Sequence, residues 1–347
     1  MQTRPQAGVR SLCQAHHLYN SASSTSFAGH ILPAIKYINN LSDIKAPNEI
    51  LFITNDIGKN YIEKIKNDKI NKLIVSSKSK FSFMLKIFLN VSMLFLFNRK
   101  LILIGFGGFI TTPILLISKL FNIILFSSNK IYIHEQNFIY GLANKINYLI
   151  AKNAFISFPK VNMRSKEIFV GNFFLDTNKP REELDSKFVN VLLMGGSAGS
   201  LELNNKLLEE IKLLDKKYLE KIKFFIQIPD SHINIYKKKY EDLLDNDNCS
   251  FFTFKNNLNF KEYDLILSRS GSGSINEILY QTNNVYFMPH LISRDQHQKF
   301  NLNYFFSQNM SLKKFQIPNK KNIISQFYFN SLINPYSIEK IICYTTR

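Results

Sequence analysis

Apolar runs that are hydrophobic on both faces recur through the first half of the chain, and they constrain its fold more than any other feature. The runs are EILFIT from residue 49, KLIVSS from 72, KLILIGF from 100, KIYIHE from 130 and AFISF from 154. Amphipathic stretches separate them. Strands covered by helices on both sides show such continuous hydrophobicity, so the pattern predicts βαβ units in a doubly wound parallel sheet.

The pattern restarts in the second half, with VNVLLMGG from 189, KFFIQI from 223, SFFTF from 250, DLILSRS from 264 and NVYFMP from 284. A chain of 347 residues is long enough for two domains, each with its own core. We therefore expect a first domain over 27–172, a polar linker over 173–187 and a second domain over 188–330. A C-terminal segment, 331–347, is expected to pack back on the first domain.

Residues 1–26 differ from the rest because they contain no Lys and no Ile, residues that are abundant elsewhere. They also show neither a helical nor a strand periodicity. This predicts an atypical, poorly ordered segment. A consequence would be that the first strand of the amino-terminal sheet is missing.

The net charge of +18, from 44 Lys and Arg against 26 Asp and Glu, would attract a polyanion. The lysines are scattered and do not form a basic stripe with interleaved aromatics, which argues against nucleic-acid binding. The apolar stretch 81–97 is interrupted by Lys86 and Asn90 and is short for a bilayer span. It suits either a buried helix or shallow insertion beside anionic headgroups, with Phe95 and Phe97 facing the lipid.

Two turns of small residues in the second half follow predicted strands and precede predicted helices. Gly195, Gly196 and Ser197 form part of the first, and Ser270 and Gly271 form part of the second. Such turns expose backbone N–H groups to phosphate, although a simple strand-to-helix turn looks the same. Glu277 is expected in the first turn of the helix that follows Ser270 and Gly271. There it would serve either as a charge that favours the helix N-terminus or as an acceptor for ribose hydroxyls.

Polar residues also follow predicted strands in the first half. His30 stands between Gly29 and a helix start, where an imidazole can transfer a proton. Gly107 and Gly108 allow close approach of a ligand or a helix. HEQN at 134–137 is not a zinc motif, because Phe138 occupies the position where a second histidine is required.

Seven motifs lie between residue 29 and residue 301: GH-x-x-PA, GFGGF-x-x-x-P, HEQN-x-x-x-GLANK, VGN, GGS-x-G, RSG-x-x-x-x-x-E and DQHQ-x-x-N. Together they resemble the MurG family of glycosyltransferases. The family adds N-acetylglucosamine to lipid I, an undecaprenyl-linked muramyl-pentapeptide, to form lipid II. The resemblance implies a GT-B architecture of two Rossmann-like domains facing a cleft, and an inverting transfer that requires no metal or other cofactor.

The resemblance also implies roles for individual residues. On the donor side, residues of the second half would hold UDP-N-acetylglucosamine. They are Ser197 at the diphosphate, Ser270 and Gly271 in the second turn, Glu277 at the ribose, Phe254 and Lys255 at the uracil, and His297 and Gln298 at the sugar. On the acceptor side, Gly107, Gly108 and Asn137 would line the site. His30 is the first choice for the general base and Glu135 the second.

Because the family's acceptor is a lipid, the resemblance implies a peripheral protein on the cytoplasmic face of the bacterial inner membrane. Its partners would be UDP-N-acetylglucosamine, lipid I and the anionic membrane surface. The chain departs from the family at TSFAGH, which replaces a loop close to GGTGGH, and at GNFFL, which lacks a proline and an arginine. Two alternatives therefore stay open: transfer to another lipid such as diacylglycerol, and an inactive, membrane-associated UDP-sugar-binding protein.

Overall fold

The computed structural model describes residues 10–14, 30–41, 49–55, 70–75, 80–98, 100–160, 162–172, 188–196, 199–253, 258–282, 285–290 and 296–306. The chain divides into two compact units. Unit 1 comprises the described residues up to Asn172, and unit 2 comprises those from Phe188 onwards. The expected linker, 173–187, and the expected C-terminal segment, 331–347, lie outside the described residues.

Unit 1 contains a seven-stranded sheet in the order β3-β2-β1-β4-β5-β6-β7, and every pairing is parallel. Its strands are β1 Arg10–Gln14, β2 Glu49–Asn55, β3 Ile70–Val75, β4 Leu101–Gly105, β5 Lys130–Glu135, β6 Asn153–Ile156 and β7 Glu167–Phe169. Its helices are α1 Ile31–Leu41, α2 Lys80–Phe97, α3 Thr111–Ile124 and α4 Leu142–Ile150. The predicted doubly wound parallel sheet is confirmed.

The expectation that the first strand is missing is wrong. Arg10–Gln14 forms β1, which pairs with β2 on one side and β4 on the other, so that Leu12 is opposite both Leu51 and Leu103. This central strand contains only one large aliphatic residue, so neither a continuous apolar run nor an alternation marks it in the sequence. The strand order changes direction at β1 and β4, the topological switch point where open α/β sheets bind ligands.

Both faces of the unit 1 sheet are covered, as the residues of β4 illustrate. Ile102 and Ile104 pack into a core with α1, whereas Leu101 and Leu103 pack into a second core with α2, α3 and α4. Successive side chains of a strand point to opposite faces, so a strand with apolar residues at every position requires cover on both sides. This requirement explains the uninterrupted hydrophobic runs in the sequence.

Unit 2 repeats the arrangement with five parallel strands in the order β10-β9-β8-β11-β12. The strands are β8 Val189–Met194, β9 Ile222–Gln227, β10 Cys249–Phe252, β11 Leu265–Ser268 and β12 Val285–Phe287. The helices are α5 Leu201–Lys212, α6 Lys216–Leu219, α7 Ile233–Glu241, α8 Ser272–Gln281 and α9 His297–Phe306. Here the switch point lies between β8 and β11.

Helix α2 has one buried and one exposed side. Ile87, Val91 and Phe95 are fully buried, and Phe95 packs on Phe121 of α3 with 5.9 Å between ring centroids. The expectation that Phe95 faces lipid is therefore wrong, because it belongs to the core. Phe97 is 78% exposed. Among the described helices, none is both long and apolar enough to cross a membrane.

Candidate active site

The carboxyl ends of β4 and β5 bring several of the predicted residues of unit 1 together. Gly107 and Gly108 follow β4 in left-handed conformations, with φ angles of 89° and 85°. The His30 ring lies against Gly107: a Cβ added there would be 3.0 Å from His30 Nδ1 and 3.1 Å from Cε1. The positive φ angle at position 107 favours glycine, and a side chain there would press against the imidazole.

Gln136, the third residue of HEQN, contacts three groups at this edge, although the sequence did not single it out. Its Oε1 lies 2.9 Å from His30 Nδ1. Its Nε2 donates to the Phe106 carbonyl at 3.0 Å and lies 3.4 Å from His134 Nδ1. Gln136 is buried, and its three contacts link His30, which precedes α1, to residues at the ends of β4 and β5.

His134 is fully buried at the end of β5, where its Nε2 lies 3.2 Å from the Ser157 hydroxyl. Burial lowers the pKa of His134 to about 3; a backbone hydrogen bond at Gly171 acts in the opposite direction, and the charge of His30 lowers it further. Near neutral pH the ring is uncharged, so one of its nitrogens donates a hydrogen bond and the other accepts one.

The Glu135 carboxylate is buried and shapes the loop that follows β5. Its Oε1 accepts from Asn137 N at 2.9 Å and from Asn137 Nδ2 at 3.2 Å. Its Oε2 accepts from Gly141 N at 3.1 Å and from Asn144 Nδ2 at 3.0 Å. Four donors thus surround the carboxylate, so its lone pairs are engaged in holding the loop and the start of α4.

In unit 2 the turn between β8 and α5 has left-handed glycines at Gly196 and Gly199, with φ angles of 84° and 73°. The buried Gln227 side chain holds this turn. Its Oε1 accepts from Gly195 N at 2.8 Å, and its Nε2 donates to Gly196 O at 2.8 Å and to Thr253 O at 2.9 Å. Ser197, the predicted diphosphate contact in this turn, lies outside the described residues, as do Phe254 and Lys255.

Arg269, directly after β11, is a buried cation that the sequence did not single out. Its guanidinium donates to the Ser200 hydroxyl at 3.2 Å, to Met288 O at 3.1 Å and to Glu202 Oε2. The Arg269 guanidinium, followed by His290, holds the pKa of the Glu202 carboxyl below its usual value against the opposing effect of burial. Ser200 also caps α5 by accepting from Leu203 N at 3.3 Å.

Gly271 caps α8, which begins at Ser272, so Glu277 lies in the second turn. The expectation that Glu277 occupies the first turn is wrong, because the helix already begins at Ser272, within the small-residue turn that was expected to precede it. A charge beyond the first turn interacts only weakly with the helix dipole. Stabilisation of the helix N-terminus therefore does not explain a glutamate at position 277. Ser270 is fully buried and donates from Oγ to Gln298 O at 2.9 Å.

The first turn of α9 carries the predicted sugar-contacting residues, His297 and Gln298, which are partly exposed. Gln298 Oε1 accepts from His290 N at 2.8 Å, which fixes the orientation of its amide. Asn301, on the same face of α9, is fully buried and donates to Ser270 O at 3.4 Å. Asn301 therefore ties α9 to the turn before α8, whereas Gln298 on the same face remains partly exposed.

Two family models match consecutive parts of the chain. Glycosyltransferase family 28 N-terminal domain matches residues 28–156, and glycosyltransferase family 28 C-terminal domain matches residues 190–326. A curated relative from Wolbachia sp. subsp. Drosophila simulans (strain wRi) is 29% identical over 88% of each chain. A relative from Pelagibacter ubique (strain HTCC1062) is 26% identical over 90% of this chain and 87% of its own. Both are named UDP-N-acetylglucosamine–N-acetylmuramyl-(pentapeptide) pyrophosphoryl-undecaprenol N-acetylglucosamine transferase.

Solved structures with the same fold include two kinds of protein. MurG from Acinetobacter baumannii aligns with a TM-score of 0.62 and 19% identity over 98% of this chain and 91% of its own. A putative UDP-N-acetylglucosamine 2-epimerase from Listeria monocytogenes aligns with a TM-score of 0.61 and 8% identity over 98% and 96%. At these identities the structures bear on the fold alone, and they confirm the GT-B class of two Rossmann-like units.

Proposed function

Because the chain belongs to the MurG family within glycosyltransferase family 28, we propose that it transfers N-acetylglucosamine from UDP-N-acetylglucosamine to lipid I, forming lipid II. The observation that carries the proposal is the His30 site at the switch point of unit 1, in a chain whose relatives are named for this transfer. It is favoured over diacylglycerol transfer because HEQN, a motif of the acceptor half, is built into that site.

Unit 2, residues 188–330, takes the nucleotide sugar in this proposal. The turns before α5 and α8 end at helix N-termini, whose exposed N–H groups and dipoles favour a diphosphate. Glu277 would accept from the ribose hydroxyls, and Gln298 from its surface position would contact the sugar. Arg269 adds positive charge at the start of α5, although Glu202 balances part of it.

Unit 1, residues 27–172, takes the acceptor. The 4-hydroxyl oxygen of the acceptor forms a bond to the anomeric carbon as the bond from that carbon to the UDP oxygen breaks, which inverts the linkage. The bonding pair leaves with UDP, and His30 takes the hydroxyl proton. His30 is preferred to Glu135 as the base because the Glu135 carboxylate already accepts four hydrogen bonds from its own loop.

The test is transfer of label from UDP-N-acetylglucosamine to lipid I or to diacylglycerol in detergent. We expect label in lipid II, and a loss of roughly 10²- to 10⁴-fold in kcat for His30→Ala. His232→Ala, in unit 2, should retain activity. Label in diacylglycerol instead would overturn the choice of acceptor, and tight UDP binding without turnover would favour the inactive alternative.

We also propose that unit 1 docks on the cytoplasmic face of the inner membrane through an apolar face formed by α2, α3 and α4. These helices pack on one another in chain order, and each exposes large apolar side chains and a lysine. The exposed apolar residues are Met84, Leu85, Phe88, Leu89, Met93, Leu96 and Phe97 on α2, Leu116, Leu120, Ile123 and Ile124 on α3, and Leu142, Ile146 and Leu149 on α4. Such a face inserts shallowly, while Lys86, Lys119 and Lys145 attract anionic headgroups.

Vesicle sedimentation tests this proposal. Phe97→Asp and Leu149→Asp, at residues that are 78% and 75% exposed, should each reduce binding to vesicles containing anionic lipid. Leu213→Asp is the matched control, because this leucine is 81% exposed but belongs to unit 2. Equal binding of all three variants and the unsubstituted protein would remove the apolar face from the proposal.

A further inference from the structure

The Gln136 side chain has only one orientation that suits the groups around it. The Phe106 carbonyl can only accept a hydrogen bond, so the Gln136 group facing it at 3.0 Å is the NH₂ group. The amide oxygen must then be the atom that faces His30 Nδ1 at 2.9 Å. Because that oxygen can only accept, His30 Nδ1 carries the hydrogen.

The contacts of His134 are compatible with this orientation of the Gln136 amide. Its ring is buried and uncharged near neutral pH, so it has one donor and one acceptor nitrogen. Its Nε2 faces Ser157 Oγ and its Nδ1 lies, at a longer 3.4 Å, near the second hydrogen of the Gln136 amide. If His134 Nε2 is protonated and Nδ1 accepts, every hydrogen bond in the series from His30 through Gln136 to His134 joins a donor to an acceptor.

We propose that Gln136 is the positioning residue of the reaction: it holds neutral His30 as the Nδ1–H tautomer, so that Nε2 carries the lone pair that receives the acceptor's proton. The proposal rests on the proposed function for the identity of that proton. Gly107 supports the arrangement, since any side chain there would displace the ring that Gln136 orients.

A neutral partner distinguishes this arrangement from one in which a carboxylate supports the histidine. Titratable groups near His30 include His134, which is buried, and Glu135, whose Oε2 accepts a hydrogen bond from Asn144 beside the ring. A carboxylate hydrogen-bonded to Nδ1 would stabilise the imidazolium and raise its pKa, whereas an amide orients the ring with a smaller effect on its charge. Gln136 therefore sets the tautomer of His30 without placing a negative charge beside Nδ1.

The test combines ¹⁵N NMR of histidine-labelled protein with steady-state kinetics. The chain has 7 His, and the His30 signals are assigned by their loss in His30→Gln. We expect a protonated Nδ1 and an unprotonated Nε2 above the titration of His30. Gln136→Leu should mix the two tautomers and lower kcat roughly 10- to 100-fold, with the donor KM unchanged. Gln136→Glu should keep Nδ1 protonated and move the acid limb of the kcat/KM profile to higher pH.

Gln227→Leu is the matched control, because Gln227 is also a buried glutamine whose amide bridges three groups, but in unit 2. It should leave the His30 signals and the acid limb unchanged. A protonated Nε2 in the unsubstituted protein overturns the proposal, even where Gln136→Leu does not fold. Failure of lipid I transfer with the expected ¹⁵N pattern would overturn the proposed function and leave the tautomer assignment standing.

Discussion

Gln136 in unit 1 and Gln227 in unit 2 are both buried, and both bridge three groups beside a switch point, yet their partners differ. Gln136 contacts two imidazoles and one carbonyl. Gln227 contacts one backbone N–H and two carbonyls. The first amide therefore governs where a proton resides, and the second governs the shape of a turn.

The surrounding residues extend the same contrast. Unit 1 buries His134 and the Glu135 carboxylate at the carboxyl end of β5, whereas unit 2 places Arg269 against Glu202 and offers backbone N–H groups at two helix starts. We infer that substitutions at the unit 1 site change kcat, and that substitutions at the unit 2 site change the donor KM.

The largest expected effect separates the two units with one type of substitution. Gly107→Ala and Gly196→Ala both force alanine into a left-handed conformation. The methyl at 107 meets the His30 ring and the Asn144 amide, whereas the methyl at 196 meets no atom within 4 Å among the described residues. Misplacing a catalytic group by about 1 Å can cost roughly 100-fold, so we expect a loss in kcat of up to about that size for Gly107→Ala. Gly196→Ala should raise the donor KM with a smaller change in kcat. A large fall in kcat for both would break the contrast.

A second prediction tests the donor side alone. Glu277→Ala removes the carboxylate proposed for the ribose, and hydrogen bonds to a charged group contribute about 1.5–3 kcal/mol, which corresponds to roughly 10- to 100-fold in the donor KM. Glu209→Ala, at an exposed carboxylate on α5, is the control and should leave the KM unchanged. An unchanged KM for Glu277→Ala would remove the ribose assignment.

Much of the fold was predictable because most of its buried strands are continuous apolar runs in the sequence. The five runs of the first series became β2 to β6, since buried parallel strands are apolar at every position. β1 and the three-residue β7, Glu167–Phe169, were missed because neither contains a long apolar run. Their strand conformation is evident only from their pairing with neighbouring strands. HEQN was found as a polar cluster directly after a predicted strand, and the family resemblance gave it an acceptor-side role. The role of Gln136 was not, because it depends on the carbonyl of Phe106, thirty residues away.

A third prediction concerns stability at low pH. Folding holds the pKa of His134 at about 3 against an ordinary 6.5, so below pH 6.5 the unfolded chain binds a proton that the folded chain does not. Stability is therefore lost as pH falls from 6.5 towards 3, by about 2 kcal/mol at pH 5. Native-state hydrogen exchange should show this loss in β5 and a smaller one in β8. His134→Gln should remove it, and an equal pH dependence in that variant would contradict the prediction.

The smallest expected effect is the most direct check on the role of Gln227. Gln227→Leu preserves volume but leaves Gly195 N, Gly196 O and Thr253 O without this partner, so the turn loosens without losing its glycines. The backbone N–H groups of the turn are proposed to bind the diphosphate, so we expect the donor KM to rise by about 3- to 10-fold, the equivalent of one ordinary hydrogen bond. UDP affinity measured by calorimetry should fall by the same factor, because the diphosphate belongs to UDP as well. A fall in kcat with unchanged UDP affinity would instead mean that both glutamines serve the proton transfer, and the contrast between the units would fail.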